Sequence, residues 1–272
     1  MRRYPKIYLS WRAVVIAVSL YALFLTGFSF GAHSVGPSTS SAAVLTAEDV
    51  PPPAEESLLV IASPAEDKEE ETPATDEPLE PQAVVYCTHT SEGYYGQERQ
   101  SGVAGGVLDA ARTLADTLEA NGIGVILLED IFDAPDWNNS YGYSLAALEE
   151  VKAQYPDIQL YIDVHRDAEI PGVDTHFTDE SGSYARMMLI IGSNANLPHP
   201  NWEQNRAFAN QLYNELESAK PGLMRDSKIY NGRYNQHVGN KAILVEVGST
   251  SNTVEEAKSS AALLGNAIAK LL

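Results

Sequence analysis

Apolar and polar positions follow two rhythms along the C-terminal two-thirds of the chain. Val84-Val85-Tyr86-Cys87, Ile123–Leu128, Ile158–Val164, Ala185–Gly192 and Ala242–Val247 are short, nearly continuous apolar runs, the pattern of buried strands. Gly102–Asn121 instead carries apolar residues at Val107, Leu108, Ala111, Leu114, Ala115 and Leu118, the spacing of one helix face, and stops at Asn121-Gly122. Tyr143–Tyr155, ended by Pro156, Trp202–Lys220, stopped by Pro221-Gly222, and Thr253–Leu271 read as three further helices. Strand and helix in alternation predict an α/β fold, a mostly parallel or mixed twisted sheet with helices on both faces.

A third rhythm precedes these. Ala13–Gly31 is an uncharged apolar stretch of nineteen residues. As a helix it spans close to 30 Å, the thickness of a bilayer's hydrocarbon core. Arg2, Arg3, Lys6 and Arg12 lie on its N-terminal side, so the positive-inside rule keeps that end cytoplasmic and sends the rest of the chain outside. Residues 1–31 therefore read as a cytoplasmic stub and transmembrane signal anchor. A cleaved signal peptide, cut near Gly36 or Ser40–Ala43, is the rival reading. Residues 32–82 hold twelve acids against the single base Lys68, together with eight prolines. Such a stretch buries too little apolar surface to offset its ordering entropy, so it reads as a disordered, acidic, Pro-rich linker. The folded domain is expected from 83 to 272.

Composition narrows the function. Of 272 residues, 37 are acidic and 18 basic, a formal net charge of −19, which argues against a nucleic-acid binder because phosphate recognition needs a basic face. The lone cysteine, Cys87, excludes an internal disulfide framework and any site built on two or four cysteines. A metal would have to be held by His, Asp and Glu.

The candidate chemistry lies where strands end. Three apolar runs lead directly into polar residues: Cys87-Thr88-His89-Thr90-Ser91-Glu92, Ile162-Asp163-Val164-His165-Arg166-Asp167 and Val245-Glu246-Val247-Gly248. In open α/β sheets the ligand crevice lies beyond the carboxyl ends of the strands. If these three strands are parallel neighbours, His89, His165 and Glu246 meet at one edge. Two imidazoles and a carboxylate are a donor set that zinc uses in hydrolytic sites, with a further carboxylate moving the proton. His89, Glu92 and His165 are the metal candidates and Glu246 the catalytic one. Asp163 or Asp167 could orient an imidazole, and Arg166 could bind substrate or form a structural ion pair. His33, His176 and His199 read as loop residues, as does His237, although it precedes the Glu246 strand closely enough to line the cleft. Cys87 reads as a buried small hydrophobe and Trp202 as the staple of a helix start. Tyr94, Tyr95 and Tyr141 fall in expected loops that could line a sugar groove.

The ordered set Tyr86-Cys87-Thr88-His89-Thr90-Ser91-Glu92-Gly93-Tyr94, Ile162–Asp167, Met187–Asn194, Tyr234-Asn235-Gln236 and Ala242–Ser251 followed by Asn252 resembles the stage II sporulation protein P family of peptidoglycan hydrolases. Leu244–Asn252 also resembles a segment of the wider zinc N-acetylmuramoyl-L-alanine amidase superfamily. The resemblance implies an amidase-like fold and zinc-dependent cleavage of the N-acetylmuramoyl–L-alanine amide bond, with possible action on stem-peptide cross-links. It implies a place in sporulation engulfment, between the mother cell and forespore membranes, beside stage II sporulation proteins D and M. It makes His89 and His165 zinc ligands and Glu246 the catalytic carboxylate. One departure stands out. The superfamily's glutamate ligand usually follows the first His by more than ten residues, where this chain reads Ser101-Gly102-Val103-Ala104-Gly105-Gly106 without an acid. Glu92 is the nearest replacement and Glu98 the next. The alternative to an enzyme is a membrane-anchored wall-binding or scaffold domain that kept the fold and lost the chemistry.

Overall fold

Val84, Val85, Ile162, Val164, Ile243 and Val245 are at most 2% exposed, and such β-branched residues pack well when a pleated surface is covered on both sides. They form the centre of a six-stranded sheet in a computed structural model that describes residues 79–272. The expected anchor and all but the last four residues of the expected linker lie outside the described residues. Among the described residues, no helix is long and apolar enough to cross a membrane.

The elements in chain order are β1 (Pro81–Tyr86), α1 (Val107–Ala120), β2 (Gly124–Leu127), α2 (Ser140–Gln154), β3 (Leu160–Asp167), β4 (His176–Asp179), β5 (Gly182–Ala185), β6 (Met187–Gly192), α3 (Trp202–Ala219), β7 (Lys228–Tyr230), β8 (Lys241–Ser249) and α4 (Val254–Ala269). The sheet order is β2-β1-β3-β8-β6-β7, and β4 pairs with β5 as a separate hairpin. β2, β1, β3 and β8 run parallel, β6 is antiparallel to β8, and β7 is parallel to β6. The sheet is mixed, with a parallel centre.

Side chains alternate across the sheet, so each strand serves two cores. Val85, Cys87, Ile162, Val164, Ile243 and Val245 pack against α1, α3 and α4 in the larger core. Val84, Tyr86, Tyr161 and Ala242 face α2 through Leu148 and Val151. Farther along that second face, Met188, Ile190 and Leu244 form a small separate cluster, with Tyr234 the one partly buried hydrophobic packed against it among the described residues. Three helices on one face and one on the other leave a thinly covered strip over β8 and β6.

Three details depart from the expected elements. α1 begins at Val107 rather than Gly102, because the preceding loop turns inward: a Cβ on Gly105 would lie 1.9 Å from the Glu92 carbonyl oxygen. Gly105 N–H donates to Thr90 O and Val107 N–H to Glu92 O, at 2.8 and 3.2 Å, fastening that loop beneath residues 90–92. The expected run Ala185–Gly192 divides at Arg186 between the β4–β5 hairpin and β6. β1 starts at Pro81, two residues ahead of the expected domain boundary.

Candidate active site

The parallel register puts the polar residues side by side. His165 on β3 pairs directly with Glu246 on β8, and Tyr86, at the end of β1, pairs with Asp163. His89 lies three residues beyond β1, in a turn closed by Glu92 N–H donating to His89 O at 3.0 Å. The three strands thus deliver His89, Glu92, His165 and Glu246 to one edge, on the thinly covered face.

The His89 ring is half-buried and boxed by aromatic groups. It stacks on Trp137 with centroids 3.8 Å apart and planes 7° from parallel, and meets Tyr141 edge-on at 5.6 Å. The Arg99 guanidinium lies 4.0 Å from the Trp137 ring centre. The Ser140 hydroxyl donates to Trp137 O at 2.7 Å, so its oxygen accepts from His89 Nδ1–H at 3.2 Å. This fixes the tautomer that leaves the Nε2 lone pair free. Burial, and then the neighbouring His165, hold the His89 pKa below its ordinary value.

His165 is 4% exposed and sits between two carboxylates. Its Nε2 lies 3.0 Å from Asp163 Oδ1, without the alignment of a hydrogen bond, and its Nδ1 lies 3.6 Å from Glu92 Oε2. Burial works against the imidazolium, but Asp163 and then Glu92 outweigh it and hold the pKa well above the usual histidine range. Asp163 is itself fully buried and accepts from Thr88 N–H at 2.8 Å and Thr88 Oγ1–H at 2.7 Å. Burial raises the Glu92 carboxyl, yet the contact with His165 and the charge of Arg166 bring it below its ordinary value.

Glu246 is the least satisfied of these groups. Its Oε2 is buried and makes no hydrogen bond. Burial pushes its pKa up to about 7, opposed by His165 and reinforced by the negative charge of Glu92. A carboxyl group poised near neutrality beside the His165 imidazole is suited to accept a proton and return it.

Among the described residues, no group of three or more His, Cys, Asp or Glu side chains is arranged to hold a metal ion. Two pairwise spacings among the candidate donors can be compared with those on a single zinc ion. With Zn–N and Zn–O bonds of about 2.0–2.2 Å, two imidazoles on a tetrahedral zinc stand about 5 Å apart by centroid and two donor atoms about 3.3 Å apart. The His89 and His165 centroids are 5.2 Å apart with planes at 83°, and His165 Nδ1 and Glu92 Oε2 are 3.6 Å apart. Each remaining imidazole nitrogen faces an oxygen that can hold its proton: Ser140 Oγ for His89 and Asp163 Oδ1 for His165. Glu98 is exposed and takes no part.

The structure separates the remaining expectations. Arg166 donates from Nε to Gly93 O at 2.8 Å, from its backbone N–H to Glu92 Oε2 at 3.1 Å, and lies 3.8 Å from Glu92 Oε1. It is a clamp on Glu92 rather than an open anion receptor. Asp167 takes the Arg225 guanidinium at 2.7 Å instead of orienting an imidazole. His237 does not line this cleft: it precedes β8, at the end of the sheet opposite Glu246. Tyr94 is 1% exposed, its hydroxyl donating to Val247 O at 3.0 Å, so it cannot line a groove. Cys87 is buried, burial holds its thiol pKa well up, and the Sγ faces Val107 O. Trp137, Ser140 and Arg99 emerge only from the structure. Their one sequence signal is Asp136-Trp137-Asn138-Asn139-Ser140, a run of helix-capping residue types around an aromatic.

An α/β domain with a His–His–Glu cluster at parallel strand ends is the class of protein these observations define. The model of the family described as Stage II sporulation protein P matches residues 42–269, and the chain belongs to that family. It is 28% identical over 190 residues to Stage II sporulation protein P of Bacillus subtilis (strain 168), an overlap of 63% of this chain and 46% of that one. The chain thus spans about half the length of this relative. Among solved structures it is similar to N-acetylmuramoyl-L-alanine amidase AmiC2 of Nostoc punctiforme, with 14% identity, TM-score 0.43, and coverage of 71% of this chain and 96% of that one. It is also similar to the CwlD amidase of Clostridioides difficile, solved in complex with the GerS lipoprotein, with 14% identity, TM-score 0.47, and coverage of 70% and 98%.

Proposed function

We propose that this chain is a zinc-dependent peptidoglycan hydrolase that cleaves the amide bond between N-acetylmuramic acid and the L-alanine of the stem peptide. The observation that carries the reading is the buried Glu246 Oε2, without a hydrogen bond and in register with His165, whose ring meets His89 edge-on. His89 Nε2, His165 Nδ1 and Glu92 would hold the zinc, with Ser140 and Asp163 orienting the imidazoles. When bound, zinc supplies Lewis acidity to the scissile carbonyl and to the attacking water. Glu246 Oε2 takes the water's proton and delivers it to the leaving amine nitrogen of L-alanine. Trp137 and Tyr141 hold the His89 ring in place.

The same reading places the chain in sporulation engulfment, anchored by its N-terminal segment with the folded domain outside the cytoplasm, and working with stage II sporulation proteins D and M. The net charge opposes attraction to an anionic wall, so tethering supplies local concentration instead. The test is digestion of purified sacculi by the full chain, with and without a chelator, followed by product identification. Whole stem peptides released from glycan, only without chelator, are expected. Release that persists with chelator contradicts the zinc reading. Cut cross-links on intact stems identify an endopeptidase, and undamaged sacculi a scaffold.

A further inference from the structure

One row of residues crosses the thinly covered face of the sheet. His165 pairs with Glu246 on β8, and Glu246 in turn pairs with Met188 on β6. Directly paired residues on neighbouring strands point to the same face with Cβ atoms about 5 Å apart, so Met188 flanks Glu246 on the side away from His165. β7 continues the face, with Lys228 paired to Ile190 and Tyr230 to Gly192. The His89 end of the row is walled by Trp137 and Tyr141. At the β6 end, Met188 instead lines a cavity of about 550 Å³.

The lining of that cavity is amphipathic. Met188 and Met224 contribute buried side chains to it, and Ile170, Val173 and Tyr230 contribute exposed ones. Single apolar side chains on a surface are ordinary, but three around one hollow that also holds two methionines form an adaptable apolar receptor. Asp167 and Arg225 line the same hollow and tie it to the candidate catalytic strands. Asp167 follows His165 by two residues on β3, and Arg225 Nη2 donates to Asp167 Oδ2 at 2.7 Å while lying 3.7 Å from Met188 Sδ.

Charge narrows the occupant. Two of the cations in the lining are already engaged: Arg225 with Asp167, and Arg186 as donor to Gly222 O, Asp174 O and Met224 O. Lys228 is exposed on the short strand β7 and forms no ion pair among the described residues, and the same holds for Asp226. A glycan strand of N-acetylated sugars in amide linkage is uncharged and gains nothing from these two groups. A peptide that carries carboxylates and an amine on an apolar backbone matches both the charges and the methionine lining.

We propose that this cavity is the stem-peptide subsite of the cleft. The peptide runs from Glu246 across Met188 towards β7, with its apolar parts on Met188, Met224 and Tyr230 and a carboxylate on Lys228 Nζ. This inference rests on the hydrolase reading above and gives it a direction: the amine that receives the proton from Glu246 leaves with the chain attached to it on the β6 side. Contacts made to the peptide away from the scissile bond hold that bond in place over the carboxyl.

The test is calorimetric titration of the full chain with the tripeptide L-alanyl-γ-D-glutamyl-meso-diaminopimelic acid, which has no muramoyl amide to cut, and separately with tetra-N-acetylchitotetraose. One saturable tripeptide site per chain is expected, weakened at least about fivefold in Lys228→Glu and in Tyr230→Ala, both exposed positions whose folding far-UV circular dichroism checks. The loss in Lys228→Glu should shrink at high salt, and the loss in Tyr230→Ala should not. No tripeptide binding, equal binding by wild type and both variants, or chitotetraose binding that both substitutions weaken overturns the proposal. Sacculus digestion by the same preparations separates it from the reading beneath it. Stem-peptide release by wild type with tripeptide binding unaltered in both variants removes the subsite alone. Tripeptide binding sensitive to both substitutions, without any release, upholds the peptide site and removes the hydrolase reading.

Discussion

Glu246→Gln is expected to lower the rate of stem-peptide release from sacculi by about 10²–10⁴-fold, the usual contribution of a positioned general acid–base group, while zinc content stays unchanged. The amide keeps the shape and volume of the carboxyl but cannot carry a proton. Loss of turnover without loss of metal therefore separates proton transfer from metal holding. The same variant makes a second, independent prediction about stability. A carboxyl raised to about 7 binds its proton more tightly in the folded chain than in the unfolded one. Below the unfolded value of about 4.3 both states are protonated and Glu246 adds nothing. As pH rises from there through 7, the folded state is penalised, by an amount that levels off at roughly 4 kcal/mol. Metal-free Glu246→Gln lacks that penalty, so urea unfolding should find it more stable than wild type at pH 8 and indistinguishable at pH 4. Full hydrolysis by Glu246→Gln would remove Glu246 from the proton path.

His165→Ala is expected to reduce bound zinc to background and to abolish release altogether. Its imidazole is the hub of the site: Glu246 lies beside it in register, Glu92 and Asp163 flank its two nitrogens, and His89 meets it edge-on. On the proposed zinc reading, removing the ring deletes one ligand; it also leaves Asp163 and Glu92 without the group that offsets their burial, so some loss of stability is expected with the loss of metal. His165→Gln fills more of the space and serves as the folding control. It too should lose zinc, since an amide is a poor replacement for an imidazole donor. Metal analysis of both purified variants checks the prediction, and retention of one zinc per chain would place the ion elsewhere.

How much of this was legible beforehand follows from what each residue depends on. That His89, His165 and Glu246 lie at adjoining strand ends was readable because an apolar strand that runs into a polar residue is a conspicuous break in a simple pattern, and parallel neighbours carry such breaks to one edge. The direction of β6 was not readable: Met187–Gly192 is equally apolar whichever way it runs, and it pairs antiparallel with β8. Ser101–Gly106 has no helix-breaking proline, so the sequence alone extends α1 back to Gly102, while the helix starts at Val107. What excludes a helix there is the close approach of Gly105 to the Glu92 backbone, a tertiary contact. Trp137 and Ser140 were invisible for a related reason. They act on His89 across some fifty residues of chain, through a stacked ring and one shared proton, and neither leaves a periodic trace. Arg166 shows the converse: its charge suggested substrate, and its surroundings make it the clamp that orients Glu92.

The central claim is that two imidazoles far apart in sequence share one ion. Zinc K-edge X-ray absorption on the zinc-loaded chain reads this directly, through the imidazole scattering that accompanies nitrogen ligands at about 2.0–2.1 Å. The account predicts two imidazoles per zinc in the wild-type chain, and loss of the bound metal or of one imidazole in both His89→Ala and His165→Ala. A spectrum without imidazole scattering, or one unchanged by either substitution, would contradict it.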